Sequence, residues 1–184
     1  LQDDAEIGGI RARQLYQDTA ISLVPLVNPD GVDLVTGAVS EQEREQARAL
    51  SDYYPNIPFP DGWKANLNGV DLNLQYPAGW LRAREIKFSQ GFTRPGPRDY
   101  VGRAPLSQIE SQALYDFTER VDPALVIAWH SQGQVIYWQY GGIDIPGAEA
   151  LARRFADVSG YQLEDTPYNS SFAGYKDWFI QSYR

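Results

Sequence analysis

Two apolar runs constrain this chain more than any other feature. Thr19 to Val27 (TAISLVPLV) is β-branched and apolar and leads into Asn28-Pro29-Asp30-Gly31, while Ala124 to Trp129 (ALVIAW) is apolar almost throughout. Runs of this length without polar alternation are typical of strands covered on both faces, so two buried strands are predicted, the first ending in a turn. Helical signals lie around them. Ser40 with Glu43, and Ser107 with Glu110, satisfy the capping-box pattern. The first predicts a solvated helix to Ser51, the second a helix packing through Ile109, Ala113, Leu114, Phe117 and Val121. Pro146 can open a further helix carrying Ala148, Leu151, Ala152 and Phe155, which Gly160 can close. Tyr168 to Gly174 reads as a loop before a short aromatic helix ending at Tyr183. Between Tyr53 and Arg103 the chain is rich in Pro, Gly, Asn and Trp and has little helical periodicity, which predicts a long ordered loop that carries function. Strands and helices alternating around one core predict a three-layer α/β/α domain.

With 184 residues and 43% apolar content the chain can bury a core, and one domain over residues 1–184 is expected. No run approaches the roughly 18 apolar residues needed to span a bilayer, and the start at Leu1 to Asp4 has neither half of a signal peptide, so no membrane insertion is expected. A net charge of −8 is the wrong sign for a nucleic-acid partner. There is no cysteine, so a metal can be held only by histidine and carboxylates, and His130 is the single histidine. That scarcity, with the absence of methionine, suggests a processed or trimmed piece.

His130 follows the second apolar run in Trp129-His130-Ser131-Gln132-Gly133. The carboxyl end of a strand is where open α/β sheets place ligands, and a histidine there can hold a metal through one ring nitrogen while the other is oriented by a carbonyl or carboxylate. The plainer alternative is a hydrogen-bonded structural histidine. A serine hydrolase using Ser131 is disfavoured, because there is no Gly-x-Ser-x-Gly elbow and neighbours on a strand face opposite ways.

Four segments, in order, resemble the carboxypeptidase A-like zinc metallopeptidases: Val24-Pro25-Leu26-Val27-Asn28-Pro29-Asp30-Gly31; Trp63-Lys64 with Gly69-Val70-Asp71-Leu72-Asn73; His130-Ser131-Gln132-Gly133; and Gly174-Tyr175-Lys176-Asp177-Trp178. The resemblance spans nearly the whole chain. It implies a zinc carboxypeptidase-like fold with a central mixed, mostly parallel sheet, truncated here at both ends. It also implies roles. His130 falls on a zinc ligand, and Ser131 beside it on a substrate contact. Asp71 falls on the carboxylate that orients another zinc histidine, the alternative being a capping aspartate. Lys64 falls on the cation that steadies the oxyanion, the alternative being a surface lysine lying over Trp63. Tyr168 is placed as the tyrosine that covers bound substrate, the alternative being a packed loop residue.

Asn73 falls on the asparagine that holds a terminal carboxylate, but its usual arginine partner is replaced by Leu74, which cannot clamp a carboxylate. The surrounding residues, to Trp80, resemble bacterial γ-D-glutamyl-L-diamino acid endopeptidases, which cut cell-wall peptides beside diaminopimelate. The resemblance therefore implies a peptidoglycan stem-peptide substrate and a bacterial, extracytoplasmic setting rather than a cytoplasmic one.

The family's upstream His-x-x-Glu pair and downstream catalytic-glutamate strand do not occur in these residues. One ligand cannot hold catalytic zinc, so zinc is expected to be absent or weakly held and the chain alone inactive, the missing remainder of the domain being a partner. Two rivals stay open: a metal-free peptide-binding scaffold of the same fold, and an ordinary metallocarboxypeptidase.

Overall fold

The computed structural model describes residues 5–7 and 9–183, so the Leu1 to Asp4 start lies outside the described residues. A two-residue antiparallel pair, β1 (Glu6–Ile7) and β2 (Ile10–Arg11), leads into α1 (Ala12–Asp18). The Asn-Pro-Asp-Gly segment, expected as a turn, instead opens a helix, α2 (Pro29–Thr36). Proline sits at its first position, where its missing N–H costs nothing, and the Asn28 side chain accepts from Gly31 N at 3.1 Å. α3 (Glu41–Ser51) starts with the expected reciprocal box: Ser40 N donates to Glu43 Oε2 at 2.8 Å, and Glu43 N donates to Ser40 Oγ at 3.3 Å. Leu34 of α2 and Ala47 of α3 pack with Trp63 and Ala65 into one buried cluster.

The long segment after Tyr53 is ordered, but it contains an unforeseen helix, α4 (Trp80–Ser89). Its buried positions are Trp80, Ala83, Ile86 and Lys87, while Leu81 is exposed. A lysine on the inner face and a leucine on the outer erase the apolar period that a sequence reading depends on. Trp80 and Ala83 join Leu74, Val101 and Ala173 in a second cluster.

The second capping box does not form. α5 (Ile109–Val121) has Gln108 at its N-cap without a side-chain cap bond, because the Ser107 hydroxyl and the backbone N–H groups of Ser107 and Gln108 all donate to Gln75. Its fully buried positions are Ser111 and Thr118; of the expected apolar face Leu114 packs against the cluster of Tyr76, Ala78 and Trp178, whereas Ile109 is 78% exposed. α6 (Ala148–Ser159) and its closing Gly160 follow the expectation, although only Ala152 is buried. It lies between β3 (Val135–Ile136) and β4 (Gln162–Leu163), which pair in parallel, Val135 with Gln162 and Ile136 with Leu163. This small α/β crossover precedes α7 (Tyr175–Tyr183), whose Trp178 packs with Tyr76 and Ala78 in a third cluster.

Neither apolar run is a buried strand. Residues 19–27 and 124–129 are irregular, without a ladder partner among the described residues, and Leu23, Leu26, Leu125 and Trp129 are 81, 50, 49 and 75% exposed. The β-branched composition that favours strands acts only when a neighbouring strand takes up the backbone hydrogen bonds, and here none does. The outcome is an exposed apolar surface of the kind that marks a contact site. Among the described residues no helix is long and apolar enough to cross a membrane.

Candidate active site

The site is built on residues 63–78, which three other segments hold in place. Lys64 N and Ala65 N both donate to Pro97 O, at 2.8 and 3.0 Å, and Asp71 N donates to Tyr100 O at 2.9 Å, so residues 97–100 run alongside as a frame. From the other side the Asn28 amide donates to Lys64 O and Ala65 O at 3.2 and 3.0 Å. Gly31 is required in this clamp, since a Cβ there would lie 2.6 Å from Ala65 O. Gly69 is required in the bend that follows: its φ is +70° and a Cβ would meet Gly96 N at 2.7 Å. Behind the site, Tyr76 N donates to Ala173 O at 3.0 Å and Ala173 N to Ala78 O at 2.7 Å. Asp177 then caps the turn by accepting from Gly174 N at 2.9 Å and pairs with Lys176 at 2.5 Å.

Asp71 stands at the centre. Its Oδ1 accepts from Asn73 N at 3.2 Å, capping the 3-10 turn Leu72–Leu74, and its Oδ2 accepts from Asp99 N at 3.1 Å. Burial pushes its carboxyl above the usual range, and these two N–H groups and Lys87 offset the shift only in part. Asp99 binds Lys87 Nζ through one oxygen at 2.6 Å and Arg98 Nε through the other at 2.7 Å. Burial would raise its carboxyl, but the hydrogen bonds from Lys87 and Arg98 outweigh that and hold it below the usual range. Asp99 is also in the left-handed region at φ 65°, a conformation that a non-glycine residue keeps only when its surroundings enforce it. The Lys64 ammonium is pushed below its ordinary value, first by burial and then by Arg98, against the pull of Asp71 and Asp99.

A stability prediction follows for Asp99. Its folded value lies below the ordinary 3.8, so its contribution is present in full above that pH and is lost as pH falls through the folded value. Asp99→Asn is expected to cost about 3 kcal/mol at pH 7 by leaving buried Lys87 unpaired. The gap between the two proteins should narrow in urea titrations as pH falls through the folded value, where the native aspartate is itself protonated. A gap independent of pH would refute the assignment.

The expected site residues separate. Lys64, Asp71 and Asn73 are brought together, with Asn73 exposed. Leu74, read as a substrate contact, is 7% exposed and turned into the core against Trp80 and Val101. Tyr168 is 59% exposed, accepts from Arg82 Nε at 3.1 Å, and borders an open groove of about 630 Å³ with Tyr140, Phe172 and Thr166, whose buried hydroxyl oxygen lacks a partner. His130 and Ser131 sit on the exposed 124–134 stretch and make no hydrogen bond to Asp71 or Asn73. Among the described residues no three His, Asp or Glu side chains form a group that could hold a metal, so His130 is a single donor and these residues do not by themselves fit zinc. Sequence reasoning missed Lys87, Arg98 and Asp99. Adjacent Arg98-Asp99 behind Pro-Gly-Pro is a weak signal, and only the fold places it against Asp71.

A zinc carboxypeptidase family profile matches residues 8–181. The chain is 43% identical over all 184 residues to gamma-D-glutamyl-L-diamino acid endopeptidase 1 of Lysinibacillus sphaericus, covering 45% of that protein. It is 40% identical over 177 residues, 95% of its length, to the uncharacterized protein YqgT of Bacillus subtilis (strain 168), again covering 45% of the relative. Over 72 residues, 38% of the chain, it is 38% identical to murein peptide amidase A of Escherichia coli (strain K12) and covers 29% of it. The chain thus spans about half the length of its two longest matches. No solved structure matches it. A profile running from residue 8 to residue 181 takes in the Asn28 clamp, the Lys64–Asn73 site and the Asp177 cap alike, and the chain belongs to the zinc carboxypeptidase family.

Proposed function

We propose that the protein containing this chain is a zinc-dependent peptidase that cleaves γ-D-glutamyl-diaminopimelate bonds of cell-wall peptides, and that it acts in the bacterial cell envelope. The observation that carries the reading is the 43% identity, over the full chain, to an endopeptidase of that specificity. Leu74 supports it from geometry, because a side chain buried between Trp80 and Val101 offers no charge to the terminal carboxylate that a strict exopeptidase must hold. In this reading residues 1–184 form part of one three-layer α/β/α catalytic domain, the rest of which covers the exposed apolar runs at 19–27 and 124–129. His130 is one zinc ligand, its companions coming from polypeptide outside the chain. Asp71 sets the geometry of the loop bearing Asn73, whose carboxamide contacts the substrate beside Ser131. Lys64 steadies the oxyanion, and Tyr168 closes over the bound peptide from the Arg82 contact.

The experiment uses protein from the complete reading frame, offered an L-alanyl-γ-D-glutamyl-diaminopimelate tripeptide and a blocked dipeptide with a free C-terminus. Hydrolysis of the tripeptide at least about 100-fold faster, abolished by a chelator and restored by zinc, is the expected result. Faster cleavage of the dipeptide would make it an ordinary carboxypeptidase. Tight peptide binding without turnover at any zinc level would make it a binding scaffold.

A further inference from the structure

The charges around Asp71 do not balance. Three cations, Lys64, Lys87 and Arg98, interact with two carboxylates, Asp71 and Asp99. Asp99 commits one oxygen to Lys87 and the other to Arg98 Nε, and Asp71 commits both of its oxygens to backbone N–H groups. This leaves the Lys64 ammonium without a hydrogen-bonded acceptor, and the two terminal nitrogens of Arg98 without one, among the described residues. The backbone forces these cations to be neighbours, since Lys64 N and Ala65 N both donate to Pro97 O, the carbonyl immediately before Arg98. Both can be reached from solvent: Lys64 is exposed and the Arg98 side chain is 37% exposed.

Arg98 is nonetheless held in place. One edge of its guanidinium is pinned through Nε to Asp99, itself fixed by Lys87, by its N–H to Asp71 and by its left-handed backbone. A pinned guanidinium with its outer fork free, beside a second cation that repels it, is relieved by an incoming anion. Planar, two-pronged donation fits a carboxylate best.

We propose that Arg98 is the specificity-determining residue of this site, its free guanidinium nitrogens taking a carboxylate of the substrate peptide next to Lys64 and Asn73. The substrate class rests on the peptidase reading above. A γ-D-glutamyl-diaminopimelate peptide offers that chemistry twice, as the α-carboxylate of the D-glutamyl residue and as the carboxylate of diaminopimelate. Arg98 supplies the charge that Leu74 lacks, from a different place in the chain.

The test uses protein from the complete reading frame and three tripeptides: the free acid, the D-glutamyl α-amide and the diaminopimelyl amide. Wild type is expected to show a KM for one of the amides roughly 10- to 100-fold above that for the free acid, the amide so affected naming the carboxylate that is read. Arg98→Gln should raise KM for the free acid by about that factor, leave the affected amide unchanged and spare kcat. Arg98→Lys, which keeps charge without the fork, should fall between. Wild type treating all three peptides alike overturns the subsite even if Arg98→Gln folds poorly. So does a variant that weakens all three equally. Calorimetric binding of the same peptides separates this from failure of the underlying reading. Arg98-dependent binding without turnover discards the peptidase and keeps the subsite, turnover without discrimination does the reverse, and no binding at all overturns both.

Discussion

Replacing Gln75 with leucine is expected to destabilise the protein by about 4 kcal/mol, although the two side chains are close in size. Gln75 is fully buried. Its amide donates to Val101 O at 2.5 Å, and its carbonyl oxygen accepts from Ser107 N, Ser107 Oγ and Gln108 N at 2.8, 3.0 and 3.2 Å. Leucine would leave the part-buried N–H groups of Ser107 and Gln108 without their acceptor, at roughly 1–3 kcal/mol each, and would take one of two donors from Val101 O, which keeps Trp80 Nε1. The leucine's own burial offsets only part of that. These bonds tie the 3-10 turn after Asp71 to the start of α5, so Gln75→Leu should also loosen the segment that carries Asp71 and Asn73 before global unfolding. Urea denaturation followed by tryptophan fluorescence measures the loss, and a change under about 1 kcal/mol would show that the loop finds other partners.

Trp178→Ala should be of similar size, about 3–5 kcal/mol, for a different reason. Trp178 is 2% exposed, stacks on Tyr76 with centroids 5.8 Å apart, and meets Tyr115 and Tyr175 with tilted rings at 4.4 and 5.8 Å. Alanine would remove the ring around which this cluster is arranged and leave a cavity that three tyrosines cannot fill without breaking the contact between Tyr175 and Thr118. Trp178→Phe, retaining an aromatic face, should cost about half as much. A loss of near-ultraviolet dichroism in the alanine variant but not in the phenylalanine variant would confirm that packing is responsible. Equal losses in the two would point to the indole nitrogen.

Local chemistry was legible in the residues, and long-range pairing was not. The Ser40 box, the Gly160 stop and the aromatic α7 each depend on neighbours a few positions away and formed as expected, whereas Asn28-Pro29-Asp30-Gly31, read as a turn, opens α2. Ser107 lost its capping role because Gln75, 32 residues earlier, took its hydroxyl. α4 escaped because its packed stripe includes Lys87, kept inside by Asp99. The runs at 19–27 and 124–129 have strand composition, but a strand is a property of two chains side by side, and among the described residues no partner lies beside either. Lys64, Asp71 and Asn73 were singled out because their segments resemble a family pattern, and the fold brings them together. Arg98 and Asp99 were not, because their meaning depends on the Pro97 carbonyl that sets them opposite Lys64.

The Asn28 clamp has a mechanical consequence. One asparagine side chain both initiates α2 and grips the carbonyls of Lys64 and Ala65, so the start of the helix and the backbone that carries the Lys64 side chain share one anchor. Asn28→Ala would remove the cap of α2 and the grip on residues 64 and 65 in a single substitution. The start of α2 and the backbone of the site are thereby one unit, although 36 positions of sequence separate Asn28 from Lys64.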